Sequence, residues 1–144
     1  MKTIKVPEAT GAALDWLVAK CEGYDEHEWD RDVSNMWMIR RSTQTEHFLI
    51  GYFEPSTDWS QGGPIIDRED IKVAPDMDAC TTERGTEVYR KKGWMAQETA
   101  TAYWIRKPVS TGPTPLIAAM RCYCSSKLGD IVEIPEELCP QQNS

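Results

Sequence analysis

Residues 112–136 read GPTPLIAAMRCYCSSKLGDIVEIPE, and the reading of this stretch decides the fold. Thr114 is placed to cap the free amides of a helix. Pro115 sits at the first helical position, where a missing N–H loses nothing. Leu116, Ile117, Met120, Tyr123, Cys124 and Leu128 then fall on one side at the helical period. Gly129 follows as a C-terminal stop. Asp130 to Glu136 reads as a strand with a proline stop at Pro135. Gly112 lets the chain arrive tightly. A loop that ends in a helix N-terminus suits an anion or a polar ligand.

The same pieces recur in reverse order at the other end of the chain. Thr3 to Val6 alternates and meets Pro7, as a short strand would. Thr10 caps a second helix running to Cys21, with Leu14, Leu17, Val18 and Cys21 at the helical period and Trp16 at the edge of the stripe. Gly23 ends it. The terminal strands echo each other, Ile4-Lys5-Val6-Pro7-Glu8 against Val132-Glu133-Ile134-Pro135-Glu136. As neighbours they would bring Lys5 opposite Glu133.

The middle of the chain is less regular. Asn35–Arg40, Glu46–Phe53, Thr86–Arg90 and Thr99–Arg106 read as strands. Pro55, Gly62-Gly63-Pro64 and Pro75 read as turns. The expected architecture is α+β: one small domain over residues 1–139, a mostly antiparallel sheet, and two main helices at 10–21 and 115–128. Residues 140–144 are expected to fray as a flexible tail.

Composition narrows the function classes. A net charge of −7 argues against an extended nucleic-acid groove, whose affinity comes from clustered cations. No long apolar run suits a membrane span, and Met-Lys-Thr-Ile-Lys-Val-Pro has no apolar signal core, so a cytoplasmic protein is expected. The five cysteines are odd in number and irregular in spacing, as thiols of a reducing compartment are. Cys122 and Cys124 would lie roughly 200° apart around one helix, too far to chelate together. Six Trp and five Tyr stand against two Phe. That balance favours half-buried and interface positions and is compatible with a homodimer.

No nucleophile elbow, zinc helix or P-loop occurs, and neither a cofactor nor a metal is expected. Asp25, His27 and Asp30 read as part of an exposed acidic stretch rather than as metal ligands. Two polar segments are the candidate ligand site. The first is Ser56, Thr57, Asp58, Trp59, Gln61, Gly62 and Gly63, where Asp58 accepts hydrogen bonds and Trp59 stacks on a ring. The second is Arg106, Thr111, Gly112 and Thr114, with Arg121 two turns into the helix. Trp94 or Trp104 would complete an indole wall, so that a base stacks while the Thr114 helix start holds phosphate.

Thr10-Gly11-Ala12-Ala13-Leu14-Asp15-Trp16, Pro55 to Trp59, Gln61 to Ile66, Gly112 to Arg121 and Lys127-Leu128-Gly129-Asp130 together resemble the NinX family of lambdoid phage accessory proteins. The resemblance covers under half of the chain, and residues 24–47 and 76–106 carry none of it. It implies a phage origin, a single α+β domain and the host cytoplasm during infection. It implies no activity.

Three readings follow. The first is a non-enzymatic small-molecule binder that sequesters a nucleotide-type signal of host immunity, a counter-defence role suggested by context. The second is an inhibitor of a host protein, acting through the acidic segment 22–32 with Tyr24 and Trp29 as a nucleic-acid mimic or steering surface. The third is a hydrolase or transferase with Asp58 as carboxylate base.

Overall fold

The computed structural model describes residues 1–24, 29–31, 37–42, 47–99 and 109–139. Along these the chain runs β1 (Lys2–Lys5), α1 (Gly11–Cys21), β2 (Trp29–Arg31), β3 (Trp37–Ser42), β4 (His47–Tyr52), α2 (Trp59–Arg68), β5 (Ile71–Thr81), β6 (Glu87–Glu98), β7 (Ser110–Gly112), α3 (Pro115–Leu128) and β8 (Ile131–Ile134). Short 3-10 turns follow β1 and β8. The strands form three antiparallel sheets, ordered β1-β8, β2-β3-β4 and β5-β6-β7. The arrangement is the expected α+β domain, with one helix more than expected. The strand expected over Thr99–Arg106 lies, beyond Thr99, outside the described residues, as do the expected tail and the side chains of Trp104 and Arg106.

Helix α3 forms where its sequence signals place it. Thr114 Oγ1 accepts from the Ile117 amide at 3.2 Å, Pro115 opens the helix, and Gly129 ends it at φ 83°. Its burial is not one-sided, however. Leu116 and every residue from Ala118 to Cys124 are buried, because Ala118, Ala119 and Cys122 are small enough for neighbours to close on the side expected to face water. Helix α3 packs on α1, α2, β5, β6 and β7. Helix α1 is buried from Ala13 to Ala19, and Trp16 lies in the core instead of at a stripe edge. Thr10 occupies the position before α1, but its hydroxyl makes no capping bond.

The terminal strands are neighbours, but not in the facing that their echo suggested. In the antiparallel register Thr3 lies opposite Glu133 and Lys5 opposite Ile131. Two segments that match in the same direction cannot superpose residue for residue once one strand is reversed. Thr3, Lys5, Ile131 and Glu133 share the exposed face, while Ile4, Val132 and Ile134 turn inward. The Val6 amide donates to Asp130 O at 2.8 Å and extends the seam.

Two proline-bearing segments depart from their expected turns. Pro75 lies inside β5 opposite Trp94, and β5 pairs with β6 alone among the described residues, an edge position of the kind where proline is found in sheets. Gly62, Gly63 and Pro64 lie inside α2. Asp58 caps this helix, its Oδ1 accepting from the Ser60 amide at 2.9 Å. Gly62 is required by packing: a Cβ there would meet Pro55 O at 2.4 Å and Leu116 Cδ2 at 2.6 Å. The backbone of α2 thus rests directly on the first turn of α3.

This contact gives adjacent glycines opposite roles. Gly62→Ala is expected to destabilise the protein by about 1–3 kcal/mol through overpacking. At Gly63 an added Cβ meets nothing within 4 Å. Gly63→Ala is therefore expected to stabilise by about 0.5–1 kcal/mol through lower unfolded-chain entropy. Denaturant melts of both variants read the pair, and equal effects would contradict the packing.

Candidate functional site

The two polar segments expected to share a cavity do come together, but through contact. Gly62 touches Leu116, and Gly112 lies so close to α3 that a Cβ on it would meet Ala118 N at 2.8 Å. Of the first amides of α3, that of Ile117 is taken by Thr114 and Pro115 has none. This close cover is what the Gly112–Thr114 approach builds.

The hydrogen-bonding residues before α2 act mainly on the chain itself. Ser56 is buried, and its amide donates to Asp15 Oδ1 of α1 at 2.9 Å. Thr57 N–H donates to Glu54 O. Asp58 accepts from the Ser60 amide, from Ser60 Oγ at 2.7 Å and from Gln61 Nε2 at 3.0 Å. The Ser60 bonds hold the Asp58 carboxyl below the usual carboxylate range. An anion so placed acts as the cap of α2. Gln61 Oε1 accepts from the Glu54 amide at 2.9 Å.

Arg121 does not point along a polar face. It is 8% exposed, donates from Nε to Ala9 O at 2.9 Å and from Nη1 to Thr111 O at 2.8 Å, and straps the approach to α1 and strand β7 onto α3. Burial pulls its guanidinium pKa down, and nearby Glu8 opposes that effect. Trp94 is half-buried on β6, paired opposite Gly112, with Lys91 Nζ 4.2 Å from its ring centroid.

Trp59 is the expected ring contact, among the described residues, that stays open. Its side chain is 57% exposed at the first position of α2. It borders a trough of about 430 Å³ with Gly63, Ile66 and Asp67 of the same helix. Asp70, Lys72 and Thr99 complete the polar part of the rim. Asp70 turns the chain between α2 and β5 at φ 51°, and its carbonyl accepts from the Thr99 amide at 3.1 Å. Gly63 belongs to the expected site, whereas the other partners escape a reading that takes Gly62-Gly63-Pro64 as a turn. Read as a helix, Trp59, Gly63, Ile66 and Asp67 fall on one face at spacings of four, seven and eight.

The acidic segment divides. Glu22 is no solvated carboxylate: it pairs with Arg68 and accepts from Tyr123 Oη at 2.9 Å, joining the ends of α1 and α2 to α3. Burial, followed by the Glu22 contact, pushes the Tyr123 phenol above its ordinary value. Residues 25–28, which include Asp25 and His27, lie outside the described residues. Among the described residues, no group of three His, Cys, Asp or Glu side chains is arranged to hold a metal, and no helix is long and apolar enough to cross a membrane. All five cysteines are thiols.

A family model described as Bacteriophage P22, NinX matches residues 5–127, and the chain belongs to that family. The match runs through 24–47 and 76–106, stretches that carried none of the resemblance read from the sequence. No curated protein matches the chain.

Asp15 generates a pH prediction. It is 6% exposed, and burial pushes its carboxyl up to about 6 against the opposing pull of Ser56. Its native form binds a proton that the unfolded chain releases, so stability falls as pH rises from about 4 to about 7, by about 3 kcal/mol in all. Asp15→Asn is expected to flatten that slope. Denaturant midpoints across this range measure it, and an unchanged slope in the variant would assign the pH dependence to another group.

Proposed function

We propose, from NinX-family membership as the premise, that this phage protein is a non-catalytic binder of a small ring-bearing ligand, held in the trough beside Trp59. The observation that carries the reading is the exposed indole at the lip of a hollow with polar groups on its rim. An aromatic face left in water at the start of a helix is a stacking platform, and base–aromatic stacking contributes about 1–3 kcal/mol per base. Asp67 and Asp70 can accept from ring amino groups or sugar hydroxyls, and Lys72 can meet one phosphate. Lys72 is the one cation on the described rim and two carboxylates stand with it. That balance fits a nucleoside or nucleoside monophosphate and works against polyphosphates and oligonucleotides. Sequestering such a nucleotide-type signal of the host is the role in infection that this reading assigns.

Adenosine, guanosine and their monophosphates, titrated against the purified chain, are expected to quench Trp fluorescence and to raise the melting temperature. At roughly 100 times Kd the stabilisation should reach about 2.7 kcal/mol. Trp59→Ala is expected to remove the binding and leave the melting temperature of the unliganded protein within a degree or so, since the side chain is mainly exposed. Binding retained in that variant, or no response to any of the four compounds, would end the proposal.

A further inference from the structure

Trp59, Gly63 and Asp67 stand in one row of α2, each four residues from the next. The row supplies one wall of the trough of about 430 Å³. Its two ends are eight residues apart, which separates them by about 12 Å along the helix axis. Gly63 lies midway and has no side chain, and a Cβ built there meets nothing within 4 Å. Helical side chains tilt towards the N-terminus, which carries the Asp67 carboxylate back towards Gly63. The row thus offers an aromatic ring at one end, a bare backbone seat in the middle and a carboxylate at the other end.

The carboxylates around α2 have different duties. Asp58 caps the start of the helix. Glu69, at its end, pairs with Arg68 at 3.1 Å and with Lys127 at 3.9 Å. Asp67 is exposed and lines the trough. A carboxylate can only accept hydrogen bonds, so it selects a ligand edge that presents two donors side by side. Guanine has such an edge, with N1–H next to the N2 amino group. Adenine presents its N6 amino group beside the bare N1 acceptor, so one carboxylate oxygen would face a lone pair. Cytosine likewise sets one amino group beside an acceptor, and uracil holds a single N3–H between two carbonyl oxygens.

We propose, resting on the trough as the ligand site, that it is selective for guanine, the base stacking on Trp59 over Gly63 while the Asp67 carboxylate accepts from both N1–H and the N2 amino group. Stacking alone tolerates any base, because every base has a π-face. Discrimination therefore falls to the carboxylate at the far end of the row. Asp70 is left for a ribose hydroxyl and Lys72 for one phosphate.

The test titrates the full chain with guanosine, inosine, 1-methylguanosine and adenosine by calorimetry. Guanosine is expected to bind about ten-fold or more tightly than adenosine. Inosine lacks the N2 amino group and should fall between them. With N1–H blocked, 1-methylguanosine should bind no better than adenosine. Asp67→Asn exchanges one acceptor for a donor and so matches the donor–acceptor edge of adenine. That variant is expected to lose the guanosine preference and to gain affinity for adenosine, an exchange that a purely structural side chain would not produce. Asp67 is exposed, so the variant keeps the fold. Gly63→Gln is expected to fill the seat and remove binding of both nucleosides while the protein stays folded, since position 63 has open space around it. Equal affinity for guanosine and adenosine, or a guanosine preference that survives Asp67→Asn, would overturn the selectivity. Loss of both nucleosides in Trp59→Ala would then still support the trough itself, whereas no binding of any nucleoside would end both readings.

Discussion

The first turn of α3 is gripped from two sides by backbone, and the rest of the molecule is arranged around that grip. Gly62 brings α2 against Leu116, and Gly112 brings β7 against Ile117 and Ala118. Neither approach leaves room for a Cβ. At this distance main chain packs on helix with the density of a protein interior, and small changes in volume are felt directly. The consequence reaches the functional question. A helix start covered by a glycine strand, with one amide taken by its own cap and another removed by proline, holds structure together before it holds a ligand.

The buried ionisable groups follow the same logic. A segment pressed onto the core leaves backbone amides and carbonyls without water, and each needs a partner. Asp15 supplies one for the Ser56 amide, and Arg121 supplies two, for Ala9 O and Thr111 O. Both residues reach from a helix to a non-helical segment far away in sequence. The two differ in how they tolerate burial. A carboxyl can take up a proton and become neutral near pH 6, whereas a guanidinium stays charged and relies on carbonyl acceptors. Each therefore joins elements that would otherwise meet only through apolar contact.

The sequence showed the fold best where local signals and tertiary packing agree. Thr114, Pro115 and Gly129 bracket α3, and the terminal strands pair as their matching patterns suggested. It misled where a long-range contact overrides local preference. Gly62-Gly63-Pro64 carries strong turn signals, yet it is helical because Asp58 and Gln61 secure the start and because Leu116 accepts only a glycine above it. Pro75 is tolerated by an edge that no sequence pattern announces. Arg121 looked solvated because its acceptors, at Ala9 and Thr111, become its neighbours only after folding. For the candidate site the same error had a direct effect. Trp59 was legible as an exposed aromatic among polar residues, but Asp67, Asp70 and Lys72 become its companions only once α2 is helical and β5 lies beside it.

The chemistry of the trough beside Trp59 follows from what each element bounding it can present. The trough lies between a helix with an aromatic first residue and a strand that offers Lys72, so it has a stacking face and a single positive charge. A chain of net charge −7 adds a general repulsion of polyanions. On the reading proposed above, that repulsion narrows the choice for the trough to a flat ring carrying at most one phosphate.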